Sequence, residues 1–276
     1  MKIIVEAGGT KCKWGLIDSN LLTIETPGFN PNSSNVNSLT AMAESVFAKV
    51  TENVDSIIYF GAGCSNNTNK KTVSDALATV FKCNNVQVFT DLEGAAIALF
   101  GNKPGISAIL GTGAAAGYYN GKSIERQAPS LGYLLGDEGS GAYIGKTLVS
   151  KAIRNELSDN LCSKFFDFAK ATPAELIKDI YSIHPTNSYL ANFVQFAATN
   201  IAEPEIANLL AEAFALFHEK HIEPLNINNM PIGFVGGVAW QFADILRKQY
   251  AQRGIEIIIL KDAFSSLCKL QDTPNN

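Results

Sequence analysis

GISAILGTGAAAGYYNGKS (residues 105–123) and SLGYLLGDEGSG (residues 130–141) carry the reading of this chain. The apolar run Ile106–Leu110 has the pattern of a buried strand and stops on Gly111-Thr112-Gly113, a turn small enough for backbone amides to approach a phosphate. Asn120-Gly121 follows between two short strand-like runs, the strongest short-range hairpin signal. Gly136-Asp137-Glu138-Gly139-Ser140-Gly141 then places two adjacent carboxylates among glycines, just ahead of a long helical pattern. Each piece alone is a turn. Together they read as a phosphate cradle with acid groups beside it.

Working outward, the N-terminal half begins with the same device. Lys2 to Ala7 is a strand pattern that breaks at Gly8-Gly9-Thr10-Lys11 and resumes from Cys12 to Asp18, and Leu21 to Thr26 completes a meander. The turn offers free amides, a hydroxyl and a lysine to a nucleotide phosphate, with Glu6 at the end of the first strand; a glycine hairpin by itself is equally a tight turn. The polar loop from Gly28 to Asn35 contains a capping residue, Asn35, and a ligand candidate, Asn30. Leu39, Met42, Ala43, Val46 and Phe47 mark one face of a helix over 36–50. Ser56–Phe60 reads as a strand ending in Gly61-Ala62-Gly63-Cys64, 68–81 as a helix, and Val86–Phe89 as a strand that stops at Thr90-Asp91 before the helical run Leu92–Phe100. Asp91 thus sits at a strand-to-helix junction, where ligands bind in open α/β sheets and where N-caps also occur.

Gly101-Asn102-Lys103-Pro104-Gly105 is rich in turn residues and separates the halves. The second half opens with its own meander, Ile106–Leu110, Ala115–Tyr119 and Lys122–Arg126. Helices follow, among them 143–155 and 205–218, then a strand Pro231–Val235 ending at Gly236-Gly237, one helix over 238–250 and a last strand Ile255–Leu260. The repeated strand, glycine-threonine turn and strand has the pattern of an internal duplication. The expectation is an α/β chain of two lobes, 1–103 and 104–276, the second carrying a helical insertion.

Composition agrees with a globular protein of this size: 276 residues, 46% hydrophobic and 17% charged. A net charge of -4 without a block of like charges gives no footprint for nucleic acid or an anionic membrane, which leaves a small-molecule partner. Glu6 interrupts the N-terminal apolar run too early for a signal peptide, and no apolar run approaches a membrane span, so a cytoplasmic location is expected. The five cysteines (Cys12, Cys64, Cys83, Cys162, Cys268) are odd in number and have no CxxC pair, which points to buried free thiols rather than zinc or disulfides.

Four motifs now stand in one order: Glu6-Ala7-Gly8-Gly9-Thr10-Lys11, Thr90-Asp91, Gly111-Thr112-Gly113, and the run from Gly233 to Ala239. This order resembles the sugar-kinase, Hsp70 and actin superfamily. GDEGSG and Gly28-Phe29-Asn30-Pro31 resemble its BadF/BadG and N-acetylglucosamine kinase branch in particular. The resemblance implies two ribonuclease-H-like (actin-like ATPase) lobes that clamp ATP and magnesium. By that likeness Gly8, Gly9, Thr10 and Lys11 hold one side of the phosphates, Gly111, Thr112 and Gly113 the other, and Gly236 and Gly237 pack under the adenosine. Asp91 becomes the general base on a sugar hydroxyl, with Asn30, Ser130, Gly132 and Asp137 near the sugar. Glu6 and Asp137 are the candidates for magnesium, held through water. A homodimer is compatible with the family likeness.

The chain departs from the branch at Ala114 and Ala115, where the kinases commonly carry a serine and an asparagine that touch the sugar. That loss weakens the hold on an N-acetyl hexose or shifts preference to a sugar with an apolar substituent, among N-acetylglucosamine, N-acetylmuramic acid, glucosamine and related amino sugars; it also favours a sensor that keeps the cleft without turnover. A third alternative is an ATPase activator of 2-hydroxyacyl-CoA dehydratases, which needs an iron-sulfur cysteine cluster that the sequence lacks. Trp14 and Trp240 read as packing residues, Lys146 and Lys151 as solvated helix positions, His218 and His221 as a helical pair without a third metal partner, and 271–276 as a disordered tail.

Overall fold

The computed structural model describes residues 1–269, so the tail at 271–276 lies outside the described residues. The chain divides into two compact units. In the first, β1 (Lys2–Ala7), β2 (Lys11–Ile17) and β3 (Leu21–Pro27) form an antiparallel meander. β4 (Ser56–Gly61) and β5 (Val86–Thr90) extend it in parallel beyond β1, giving the order β3-β2-β1-β4-β5. β1 and β2 close through the glycine turn and β2 and β3 through Asp18-Ser19-Asn20, whereas the parallel neighbours need the helical crossovers α1 (Val36–Phe47) and α2 (Asn67–Phe81). Ile3, Ile4, Val5, Ile57, Ile58, Tyr59 and Phe60 are all buried, as strands covered on both faces require. α1 buries Leu39, Ala43 and Val46, and α2 buries Val73, Leu77 and Phe81, one stripe each. α3 (Asp91–Phe100) follows β5 without a break. Ala7 pairs with Gly61 and Gly61 with Thr90, so the chain leaves β1, β4 and β5 at one edge of the sheet.

In the second unit β6 (Gly105–Leu110), β7 (Ala114–Tyr119), β8 (Ile124–Gln127), β9 (Ile232–Val235) and β10 (Ile257–Leu260) take the order β8-β7-β6-β9-β10. β6, β9 and β10 are parallel. The strand order of the first sheet is thereby repeated. Between β8 and β9 run α4 (Gly132–Leu135), α5 (Gly141–Ile153), α6 (Asp159–Ala169), α7 (Pro173–Ser182), α8 (Thr186–Ala191), α9 (Val194–Thr199) and α10 (Pro204–Phe217). A π-helical turn, His218–Ile222, and a 3-10 turn, Glu223–Leu225, end this stretch. Sheet and helices share one core containing Ala108, Leu110, Leu148, Phe214, Phe217, Phe234 and Tyr250.

After β9 the expected single helix is two, α11 (Gly237–Gln241) and α12 (Ala243–Ala251). Phe242 leaves helical geometry (φ -113°, ψ 30°) and buries its ring 6.1 Å from that of Phe214, and this packing re-aims the chain. α13 (Phe264–Leu267) is the last helix among the described residues. The second unit comprises 104–118 and 125–261, and the chain returns to the first unit at 119–124 and again from 262. Each return is marked by specific contacts. Gly121 packs its α-carbon against the Asn102 carbonyl and Tyr119 donates to Gly101 O at 3.1 Å, while Lys13 Nζ reaches Asp262 at 2.7 Å. A single cut after 103 misses both segments. No helix among the described residues is long and apolar enough to cross a membrane.

Candidate functional site

In the first unit the site elements gather where β1, β4 and β5 end. Gly8 N–H donates to Lys11 O at 2.9 Å, so the Gly8 amide closes the turn and is not free, contrary to the expectation for the whole turn. The open side lies at Gly9, where an added Cβ would meet nothing within 4 Å. The chain leaving β3 braces this turn from behind: Gly28 N–H donates to Thr10 O and Phe29 N–H to Gly8 O, and a Cβ on Gly28 would come within 2.5 Å of the Gly8 and Gly9 backbone. Lys11 is exposed, with Nζ 3.8 Å from Glu25. Glu6 accepts from Ala263 N–H at 3.2 Å, and burial pushes its pKa up, with nearby Asp262 adding to the shift. Asn30 accepts from Asn32 N–H and sits in the space that a side chain on Gly63 would fill, at the same sheet edge.

Asp91 begins α3 but does not cap it. Thr90 is the N-cap, accepting from Glu93 N–H, while the Glu93 carboxylate takes the Thr90 N–H and hydroxyl in a complete capping box. The spacing Thr90-x-x-Glu93 is the sequence signal that separates these roles. Asp91 Oδ1 accepts from Leu92 N–H at 2.9 Å, and burial raises the pKa of the carboxyl.

In the second unit the phosphate turn and GDEGSG form one assembly. Gly141 N–H donates to Gly111 O at 2.8 Å and Ala142 N–H to Thr112 O at 3.1 Å, so the start of α5 is tied to the turn. Ser140 caps α5 through Tyr143 N–H. Asp137 is only 8% exposed and holds a left-handed backbone (φ 57°), a strain of about 1 kcal/mol for a non-glycine residue. Its carboxylate accepts from Ala114 N–H and lies beside Gly113, where a Cβ would come within 3.1 Å of Oδ2. Burial raises the pKa of Asp137, and His221 opposes that shift. Gly236 (φ 130°) lies against the Leu110 carbonyl, and Gly237 is open on its side-chain face. Ser130 is exposed and Gly132 takes φ 71° at the start of α4.

Several residues differ from their sequence reading. Trp14 is buried, but Trp240 is 50% exposed on α11, one helical turn after Gly236 and Gly237. Lys146 is partly buried: Nζ donates to Tyr133 O at 3.1 Å and lies over the Tyr143 ring. Lys151 is partly covered as well, 3.9 Å from Glu156. His221 has a partner after all in Glu138, Nε2 to Oε2 at 3.0 Å, and its buried Nδ1 has none, a cost of about 1–3 kcal/mol. The Glu138–His221 and Lys13–Asp262 contacts had no signal in the sequence, because they join positions far apart. Four cysteines are buried and Cys268 is partly so, all as free thiols.

Among the described residues no group of three or more His, Cys, Asp or Glu side chains gathers to hold a metal. Taken separately, Glu6 in the first unit and Asp137 in the second are each desolvated, hard-oxygen carboxylates, the donor type that magnesium takes together with substrate phosphates and water.

No family model and no curated protein matches the chain. Among solved structures it is similar to a Porphyromonas gingivalis protein provisionally named an N-acetylglucosamine kinase, at 28% identity and TM-score 0.92 over 98% of both chains. A Chromobacterium violaceum protein with the same provisional name gives 23% identity and TM-score 0.66 over 97% of both chains. An ethanolamine utilization protein from Carboxydothermus hydrogenoformans gives 13% identity and TM-score 0.51, covering 96% of this chain and 86% of that one. The last two show a shared fold alone. The chain has the α/β fold of the sugar-kinase and actin-like ATPase superfamily, with two five-stranded mixed sheets.

Proposed function

We propose that this chain is an ATP-dependent kinase that transfers the γ-phosphoryl group to a hydroxyl of an amino sugar, N-acetylglucosamine or a close relative. One observation carries the reading: Asp91 stands at a sheet edge, relieved of capping by Thr90 and Glu93, with burial making it a better proton acceptor. The similarity to the Porphyromonas gingivalis protein along 98% of the chain supports the choice of acceptor.

Phosphoryl transfer asks the protein mainly for alignment, charge neutralisation and a carboxylate for the hydroxyl proton. Asp91 Oδ1 is held by Leu92 N–H, so Oδ2 takes the proton from the sugar hydroxyl as its oxygen bonds to the γ-phosphorus and ADP leaves. Gly8, Gly9, Thr10 and Lys11 and the Gly111–Gly113 turn hold the phosphates, and Gly236 and Gly237 the adenosine. Asn30, Ser130, Gly132 and Asp137 orient the sugar, whose buried hydroxyls cost about 1–3 kcal/mol each if unpaired. Magnesium, when bound with ATP, supplies charge neutralisation, and Glu6 and Asp137 would hold it through water. In this reading the enzyme works in the cytoplasm on a small sugar, without nucleic acid or membrane partners, and a homodimer is compatible with that role.

A second reading, a nucleotide- or sugar-binding sensor without turnover, is favoured by Ala114 and Ala115. The Ala114 amide is spent on Asp137 and neither side chain offers a polar group to a sugar. The deciding test is coupled ADP release with magnesium-ATP across a panel of amino sugars, run beside Asp91→Asn. Turnover on one sugar that disappears in the variant supports the kinase. ATP binding without turnover on any sugar supports the sensor.

A further inference from the structure

The Glu138–His221 pair is unexplained by the roles assigned so far. His221 lies in the π-helical turn at the end of α10, its side chain 5% exposed, with its ring stacked 4.9 Å from that of Phe217. Such π-turns widen a helix locally and recur at functional sites. Nε2 binds Glu138 Oε2 at 3.0 Å, while the other ring nitrogen is buried without a partner. Apolar groups in place of such a pair are often neutral or stabilising, so stability alone is a weak reason for it. The next residue is fixed to the same place, because Gly139 (φ 75°) packs against Phe217 Cβ so closely that any side chain there would collide. On the other side of Glu138 stands Asp137, left-handed in backbone and with its carboxylate beside Gly113.

We propose that His221 is a positioning residue for phosphoryl transfer: by holding Glu138 it clamps the Asp137–Gly139 segment to the end of α10, and so fixes the Asp137 carboxylate against the Gly111–Gly113 turn. The inference rests on the kinase reading for its kinetic consequence only. Its structural consequence is independent of turnover, since the Ala114 amide bonded to Asp137 reports the clamp in the free protein.

The experiment uses the full chain with His221→Ala, Glu138→Ala, the double variant, and Glu138→Gln, which keeps an oxygen acceptor for Nε2–H. Hydrogen exchange over residues 110–116 is compared with that over 144–152, a core segment of α5. Both alanine variants should exchange faster over 110–116 by on the order of 10-fold with 144–152 unchanged, and Glu138→Gln should restore protection. With the sugar that the wild type phosphorylates, kcat should fall on the order of 10- to 100-fold in each alanine variant, the double variant should be no worse than either single one, and the KM for ATP should change little. Protection lost without any wild-type turnover would sink the kinase reading and keep the clamp. Unchanged exchange over 110–116, loss of protection everywhere, or fully additive losses in kcat would overturn the clamp itself.

Discussion

Gly236 and Gly237 are neighbours with opposite demands, and alanine at each separates the backbone role from the ligand role. Gly236 has φ 130° and ψ 162°, a region open almost only to glycine, and a side chain there costs about 1–3 kcal/mol in backbone strain. Its Cβ would lie 2.2 Å from the Leu110 carbonyl oxygen, a backbone atom in a paired strand that cannot swing aside, and the forced shift adds about 1–3 kcal/mol. The sum, roughly 2–6 kcal/mol, should lower the melting temperature by at least about 4 °C. Gly237 is the first residue of α11, and an added Cβ meets nothing within 4 Å. Alanine there should be neutral or stabilising by up to about 1 kcal/mol. Under the adenosine reading that open face is filled by nucleotide, so Gly237→Ala should weaken ATP binding about tenfold while the free protein melts no lower. The assay is thermal melting with and without magnesium-ATP, with calorimetric titration of ATP. A Gly236→Ala protein melting within about 1 °C of wild type would refute the strain argument. Unaltered ATP affinity in Gly237→Ala would refute the adenosine placement.

Burial raises the folded-state pKa of Asp91, so this carboxyl favours folding at acid pH, below its unfolded value, and that contribution is lost as pH rises through the folded value. Asp91→Asn keeps the acceptor for Leu92 N–H and should therefore melt higher than wild type at pH 7, with the gain shrinking below about pH 4, and kcat/KM of the wild type should fall on its acid side above the ordinary aspartate range. Gly28→Ala pushes on the Gly8 and Gly9 backbone and should raise the KM for ATP by about tenfold, a change that steady-state kinetics reads directly. Lys13→Met strips the cation from Asp262; both side chains are partly exposed (14% and 30%), so urea unfolding should show a loss of about 1–3 kcal/mol rather than that of a fully buried pair.

Much of the fold is legible because it rests on short-range pattern. The glycine turns at Gly8–Lys11 and Gly111–Gly113, the strands that flank them and the capping Asn35 are all local, and so is the Asn120-Gly121 turn, where Asn120 Oδ1 accepts from Lys122 and Ser123 N–H. What was not legible depends on long-range packing. The break at Phe242 needs Phe214, the burial of Lys146 needs the Tyr133 carbonyl, and the return of the chain at Asp262 needs Lys13. Trp240 shows the converse case, since its helical neighbours suggest burial while the short α11 leaves it half exposed. Within the candidate site, Asp91 was placed by its strand end, and its freedom from capping was readable from Thr90 and Glu93; the Glu138–His221 pair spans 83 positions and had no local signal.

The repeated sheet supplies an internal control on the choice of Asp91. In each half the last strand runs into a helix near an aspartate: β5 into α3 at Asp91, and β10 toward α13 at Asp262. Asp262 accepts from Lys13 Nζ at 2.7 Å, so its carboxylate is committed to an ion pair. Asp91 has no ion pair among the described residues, its capping work is done by Thr90 and Glu93, and burial makes it more basic. A partly buried carboxylate with neither a cation nor a capping duty gains little stability from its place in the fold, which supports the proton-acceptor role proposed for it. The two junctions should therefore answer differently to the same change. Asp91→Asn should cut kcat by roughly 10²- to 10⁴-fold while leaving the fold intact. Asp262→Asn should act mainly on unfolding free energy and keep kcat within about tenfold, because it disturbs a bridge rather than a proton acceptor. Equal kinetic losses at the two positions would mean that the missing cation does not mark the base.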